Sequence, residues 1–221
     1  MTLSSTLLSR LGSPFESPTA GRLALAGIVA GAIALSAASA HLSETATLVA
    51  YAALFAPYAI LLFGMRETEL SGWLLLAAAL VVRFAFVPLD PLLSDDLYRY
   101  VWDGRVALSG INPFEHAPAA EALASVRDAE IWPKINHPDV PTIYPPGAQY
   151  LFALNALVGV GLVGMKTLFI LVEAACIGGC FLYMKPEGID PRRPFAIYAL
   201  NPLVFVEIGW SGHVDVVAWA L

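Results

Sequence analysis

The sequence predicts an all-α integral membrane protein of about six transmembrane helices with one long extracytoplasmic loop. Three observations carry that expectation. The chain is 58% hydrophobic and only 14% charged, against roughly 45–50% and about 25% in soluble domains. Six apolar runs are each about as long as a helix needs to cross a ~30 Å hydrocarbon core at ~1.5 Å per residue. Between the third and fourth runs lies a single long polar interval, Asp90 to Pro146, rich in proline and acid.

In chain order, residues 1–89 read as an N-terminal tail and three spans, Leu23–Ala40, Ala46–Met65 and Trp73–Leu89. The first run follows Arg10 and Arg22 and closes on Ala-Ser-Ala, as a signal peptide would. Its length, and the spans that follow closely, favour a retained helix. Residues 145–221 hold three further runs, Tyr150–Met165, Thr167–Met184 and Phe195–Leu221. The fourth becomes long enough only if its helix starts near Pro145 or Pro146, a good place for proline in a first turn. The sixth has no stop signal behind it, which predicts a piece of a longer multi-span protein. Gly27/Gly31 and Gly178/Gly179 read as helix-packing features. Cys176 and Cys180 fall on one helix face, where a disulfide is geometrically implausible and small apolar packing is the natural role.

Charge is concentrated in the 90–144 loop, with nine acids against four Lys/Arg. That balance argues against nucleic acid as a partner. With the N-terminus cytoplasmic, three crossings put the loop outside. The positive-inside rule does not favour this: Arg10, Arg22, Arg66 and Lys166 would lie inside, and Arg99, Arg105, Arg127, Lys134, Lys185, Arg192 and Arg193 outside. Basic residues needed for a phosphate would break the rule for functional reasons.

Seven of the chain's sixteen prolines fall between Ile111 and Gly147, which excludes a long helix there and predicts a shaped functional segment. Ahead of them, Leu93, Leu97, Tyr100, Val101 and Leu108 recur at three- and four-residue spacing, the pattern of an amphipathic helix lying along the membrane surface. Its polar face would carry Asp96, Arg99 and Asp103, with Asp95 further round. A carboxylate beside an arginine is held ionised and can take a proton from an attacking hydroxyl. The structural alternative is a helix start capped by Ser94, with Asp95 and Asp96 complementing the helix dipole and a solvated Asp96–Arg99–Asp103 face. Gly110 and Asn112-Pro113 then end the helix. Downstream, Trp132, Asn136, His137, Asp139 and Tyr144 sit among prolines that fix their backbone directions. His116 and His137 read as surface residues rather than metal ligands, and Tyr144 as an interfacial aromatic.

Ionisable residues within the apolar runs should face a bundle interior or wet cavity. Arg83 could snorkel to the acidic loop's interface or bind a lipid phosphate. Glu173 reads as a bundle-interior hydrogen-bonding residue. In Asn201–Asp215 a regular helix would place Glu207, Ser211 and Asp215 on one cavity-lining face, with His213 nearby. Gly209 and Gly212 would permit a break instead.

SDDLYRYVWDGRVALSGINPF, then PTIYPP leading into a span, then YALNPLVFVEIGWSGHVD resembles bacterial polytopic glycosyltransferases of the GT-C class that use polyprenyl-phosphate sugars. These are related to the mannosyltransferase that builds glycosylphosphatidylinositol anchors. The resemblance implies the N-terminal part of a GT-C-like fold in the cell (inner) membrane, with two more spans before the motif-bearing loop than the family usually has. Asp95 and Asp96 match the acidic motif, Asp103, Gly104 and Arg105 the following D-G-R, Asn112 and Pro113 the turn. Tyr144 and Pro145 match the start of the next span, and Asn201 and Pro202 the later helix. The implied reaction moves a hexose, mannose as first guess, from polyprenyl phosphate to a glycan or lipid acceptor outside the cytoplasm, with inversion. Asp95 or Asp96 would be the base, and Arg83, Arg99 or Arg105 would stabilise the leaving phosphate. Asp103, Asn112, Tyr144, Asn201, Glu207, His213 and Asp215 would complete the site, in contact with membrane lipids. The resemblance implies no certain cofactor, and the acidic pair and lipid phosphate leave room for a divalent metal. The rival class is a transporter or lipid-linked-sugar flippase with Arg83, Glu173, Glu207 and Asp215 along its path.

Overall fold

The computed structural model describes residues 18–64, 70–184 and 186–218. Arg10, Arg66 and Lys185 of the charge count, Met65 at the end of the second run and residues 219–221 of the sixth lie outside the described residues. The helices are α1 (Pro18–Ala38), α2 (Glu44–Ala53), α3 (Phe55–Gly64), α4 (Gly72–Phe84), α5 (Asp96–Leu108), α6 (Pro146–Val158), α7 (Gly161–Met184), α8 (Arg192–Ala199), α9 (Pro202–Val206) and α10 (Asp215–Ala218), with a π-helical turn at Glu207–Ser211. Among the described residues no strand is present.

Among the described residues three stretches are long and apolar enough to cross a membrane: Thr19–His41, Glu44–Gly64 and Gly161–Met184. The other expected runs do not form single helices of that length among the described residues. The third run is helical only over the 13 residues of α4, ~20 Å of rise, because the chain turns from Ala85 into Pro88, and a residue before proline is pushed out of helical geometry. The fourth run starts at Pro146 as expected but ends at Gly159, whose φ of 74° closes α6 after 13 residues. The fifth helix consequently begins at Gly161 and takes in Lys166, which is fully buried and donates to the Leu89 carbonyl at 2.7 Å. Lys166 is therefore not a loop cation. The sixth run is broken between α8 and α9 and again at Gly212, where φ is 71°.

The chain divides into two compact units, Met1–Ala85 with Cys180–Phe205, and Phe86–Gly179 with Val206–Leu221. In the first, Ser43 and Ser71 cap α2 and α4 by accepting the amides of Ala46 and Leu74, each at 3.2 Å, two of the orphan donors every helix start exposes. Gly27 and Gly31 let α1 lie close on the α2–α3 segment, since a Cβ there would stand 3.3 Å from Pro57 and 2.6 Å from Leu54. Gly178 and Gly179 have no such neighbour: nothing lies within 4 Å of a built Cβ, so their packing role is not seen. Arg83 is buried and donates to the carbonyls of Ala79 at 3.0 Å and Ala199 at 2.6 Å. Glu173, in the second unit, is likewise buried, and Cys176 and Cys180 are free thiols.

The second unit is organised around α5. Tyr100 stacks on Phe152 at 4.8 Å and meets Tyr144 and Phe169 edge-on at 4.8 and 5.9 Å. Trp102 packs against Trp132 of the proline-rich segment at 5.3 Å. That segment has no helical element longer than the six-residue 3-10 turn Glu121–Val126, as its prolines predict, and is fastened by side chains to backbone. Asp128 accepts the amides of Glu130, Ile131 and Trp132. Arg127 donates to the carbonyls of Ala119 and Ala120 and lies 4.5 Å over the Trp132 ring.

Candidate functional site

Helix α5 forms where the apolar spacing predicts, but not as a surface helix. Residues from Leu97 to Gly104 are buried on every side, Arg99 and Asp103 included. The solvated-face alternative is corrected with it: the proline-rich segment and α6 cover the polar stripe, so its charges had to pair. At the start, Asp95 rather than Ser94 occupies the cap position and makes no side-chain cap bond, while Ser94 Oγ accepts the Asp96 amide at 3.2 Å. The end follows the glycine signal: Gly110 has φ 76°, its amide reaches Ala107 O at 3.1 Å and that of Ile111 reaches Val106 O at 3.3 Å, the two bonds of a Schellman stop.

The D-G-R triplet has a structural account at each position. Asp103, 1% exposed, accepts from Arg99 Nε at 2.8 Å and from Gln149 Nε2 at 3.1 Å, and the same Gln149 nitrogen donates to Thr142 Oγ1 at 2.9 Å. Gly104 faces the backbone of α6 so closely that a Cβ would stand 2.1 Å from the Phe152 carbonyl oxygen. Arg105 pairs with Asp128. Despite the cost of its burial, the Asp128 carboxyl is held below its usual range by the Ile131 and Trp132 amides and by Arg105.

Beside this scaffold lies a cavity of about 770 Å³. Its polar wall is Asp96, Arg99, Tyr100, Asn136, His137, Tyr144 and Asp215, and its apolar wall includes Val140, Ile143 and Val217. Of the two adjacent carboxylates only Asp96 lines it; Asp95 is exposed elsewhere. Asn136 Nδ2 donates to Asp96 Oδ1 at 2.6 Å. The Tyr144 hydroxyl interacts with both Asp96 and Tyr100. Burial first, then the charge of Asp96, pushes that phenol up to about 12. Tyr100 is raised further, by burial, then Tyr144, then Asp96. Both phenols thus keep their protons and stand as donors beside the Asp96 carboxylate. Arg99, besides Asp103, donates to the carbonyls of Val140 at 2.9 Å and His137 at 3.4 Å.

Of the remaining expected residues, Asp215 lines the cavity and His213 stands near enough to feel the charges of Asp96 and Asp215, while the others make local contacts of their own. Asn112 is exposed, donates to Glu115 at 2.9 Å and accepts the Phe114 amide at 3.1 Å, a turn of its own making. Asn201 accepts the Leu203 amide at 3.0 Å, so Asn-Pro is the N-cap and first residue of α9. Arg83 and Asn201 belong to the first unit. Glu207 and His213 pair at 2.6 Å, while Ser211 is fully buried and Asp215 opens a new helix beyond left-handed Gly212. The single face of Glu207, Ser211 and Asp215 is therefore corrected. Tyr144, just ahead of α6, is half-buried and packs against Tyr100 and Phe152. Sequence reasoning gave no role to Tyr100, Asn136 or His137 in the cavity. Nothing in their spacing could have supplied one, since Asn136 and Asp96 lie 40 residues apart. Among the described residues no group of three His, Cys, Asp or Glu could hold a metal ion.

Helices able to cross a membrane, together with a cavity that sets the Asp96 carboxylate beside two tyrosine hydroxyls, define a membrane protein with a candidate site for chemistry. A family model described as alpha-(1->6)-mannopyranosyltransferase, N-terminal domain, matches residues 5–221. The chain belongs to that family, and the protein is accordingly a glycosyltransferase of the mannosyltransferase kind. No curated protein and no solved structure matches it.

Proposed function

We propose that the protein moves a hexose, mannose first, from a polyprenyl-phosphate donor to a hydroxyl of a glycan or lipid acceptor outside the cytoplasm, with inversion. The acceptor oxygen attacks the anomeric carbon as the bond to the phosphate oxygen breaks, and Asp96 takes the acceptor proton. Arg99, which keeps N–H groups beyond those spent on Asp103 and the loop carbonyls, steadies the departing phosphate. The observation that carries this reading is the division of the acidic pair, with Asp96 in the cavity beside Arg99 and Asp95 outside it. One base and a stabilised leaving group suffice for a direct displacement, so no second carboxylate is needed. The enclosing segment, residues 90–144, is the proposed acceptor side, and the helices and surrounding lipid hold the prenyl chain.

The test is transfer by the purified full-length protein in nanodiscs, supplied with polyprenyl-phosphate mannose and a short α-mannoside. The expected product carries a new α-(1→6) mannose, following the family's description, made from a donor of opposite anomeric configuration. Retention of configuration would contradict the single displacement. A protein that transfers only from a nucleotide sugar would contradict the lipid-linked donor.

A further inference from the structure

Asn136 sits between two firmly held neighbours. On one side Ile135 is buried, and its amide reaches Trp132 O at 3.3 Å. On the other, His137 has φ 47°, the only positive φ at a non-glycine residue among those described. Side-chain residues avoid that region, and a residue so held persists only where its surroundings over-determine it. Here they do. The His137 carbonyl accepts from the Val140 amide at 3.1 Å and from Arg99 at 3.4 Å, Arg99 also holds the Val140 carbonyl at 2.9 Å, and Asp103 fixes Arg99 at 2.8 Å. The buried ion pair of α5 thus acts on the loop backbone at the place where that backbone is turned most sharply from its preferred conformation. The consequence is the 2.6 Å bond from Asn136 to Asp96 Oδ1.

We propose that Asn136 is a positioning residue for Asp96: its amide, held by the strained His137 turn and the Arg99–Asp103 clamp, sets the rotation of the Asp96 carboxylate toward the acceptor hydroxyl. This rests on the reading of Asp96 as the base. An Asn in place of a charged donor fixes direction without neutralising the carboxylate, so basicity is kept while rotation about Cβ–Cγ is lost. The other titratable or charged groups lining the same cavity are Arg99, Tyr100, His137, Tyr144 and Asp215, and the Glu207–His213 pair stands close enough for His213 to feel the charge of Asp96; all of them remain when residue 136 alone is changed.

The experiment measures kcat and KM against pH for the full-length protein in nanodiscs, with polyprenyl-phosphate mannose and an α-mannoside, for wild type, Asn136→Ala, Asn136→Asp and Asp96→Asn. Loss of a donor raises the pKa of the carboxylate it served, so activity on the acid side should fall. For Asn136→Ala the acid limb should move up by about one pH unit and the plateau kcat fall about 10-fold, with KM for the donor little changed. Asn136→Asp, close to isosteric and so keeping the shape of the side chain, sets a second carboxylate against the first and should move the limb further. An unchanged acid limb and kcat in both variants, while Asp96→Asn is inactive, overturns the positioning role alone. Full activity of Asp96→Asn overturns the base reading itself, and the two failures are distinguishable.

Discussion

Gly104 shows a motif letter dictated by packing. It stands where α5 meets the backbone of α6, and a methyl group would come 2.1 Å from the Phe152 carbonyl oxygen, so one helix has to move. Overpacking of a fixed backbone contact costs on the order of 2–3 kcal/mol. Gly104→Ala should lower the melting temperature of the purified protein by roughly 5–10 °C, read by loss of monodispersity on heating, and an unchanged melt would contradict the contact. Its neighbours are equally committed. Removing either partner of a buried pair such as Arg99–Asp103 leaves a charge with no counterion, at a cost of about 3–5 kcal/mol. The triplet that resemblance carries as a site signature thus supports the site from behind. The acidic pair just ahead of it divides in the same way: Asp95 faces out and Asp96 faces the cavity. Helical spacing at about 100° per residue already set Asp96 with Arg99 and Asp103 and Asp95 further round, but it could not say which of the two would meet a cavity, because the walls of that cavity come from residues 136–148 and 214–218.

At the scale of elements, periodicity was informative about existence and poor about surroundings. The three- and four-residue spacing of Leu93, Leu97, Tyr100, Val101 and Leu108 located α5 to within three residues of its ends. It could not tell that loop and helix would bury the opposite face too, since a covered polar stripe and a wet one have the same spacing. Apolar runs misled in a related way. A run is apolar whether lipid or protein surrounds it, so α4 and α6, at 13 residues each, read as spans although their turns and glycines stop them short. The glycine and proline signals were the better guides: Gly110, Gly159 and Gly212 each end an element with φ above 70°, and Pro146 and Pro202 each begin one. What no local pattern could give was the closure of the proline-rich segment onto α5. Asn136 meets Asp96, Arg99 meets Val140 and Arg105 meets Asp128 across 40, 41 and 23 residues, contacts fixed by tertiary packing alone.

At the scale of the molecule, sidedness decides whether the chemistry is what the proposal says. The basic residues do not settle it by count, and Lys166 drops out of that count because the carbonyl of Leu89 holds it within α7. The proposal has the 90–144 segment outside. Ser125 is exposed on it, so a cysteine placed there should react with a membrane-impermeant maleimide in intact cells; labelling only after permeabilisation would put the segment in the cytoplasm. The central claim, that Asp96 of the cavity is the base while the adjacent Asp95 is not, is tested most directly by one comparison. Asp95→Asn and Asp96→Asn keep the shape of the side chain and remove its basicity. In nanodiscs with polyprenyl-phosphate mannose and an α-mannoside, the Asp96 variant of the full-length protein should lose 10²-fold or more in turnover, with donor binding retained and the Asp95 variant close to wild type. Near-normal turnover by Asp96→Asn, or loss confined to Asp95→Asn, would contradict it.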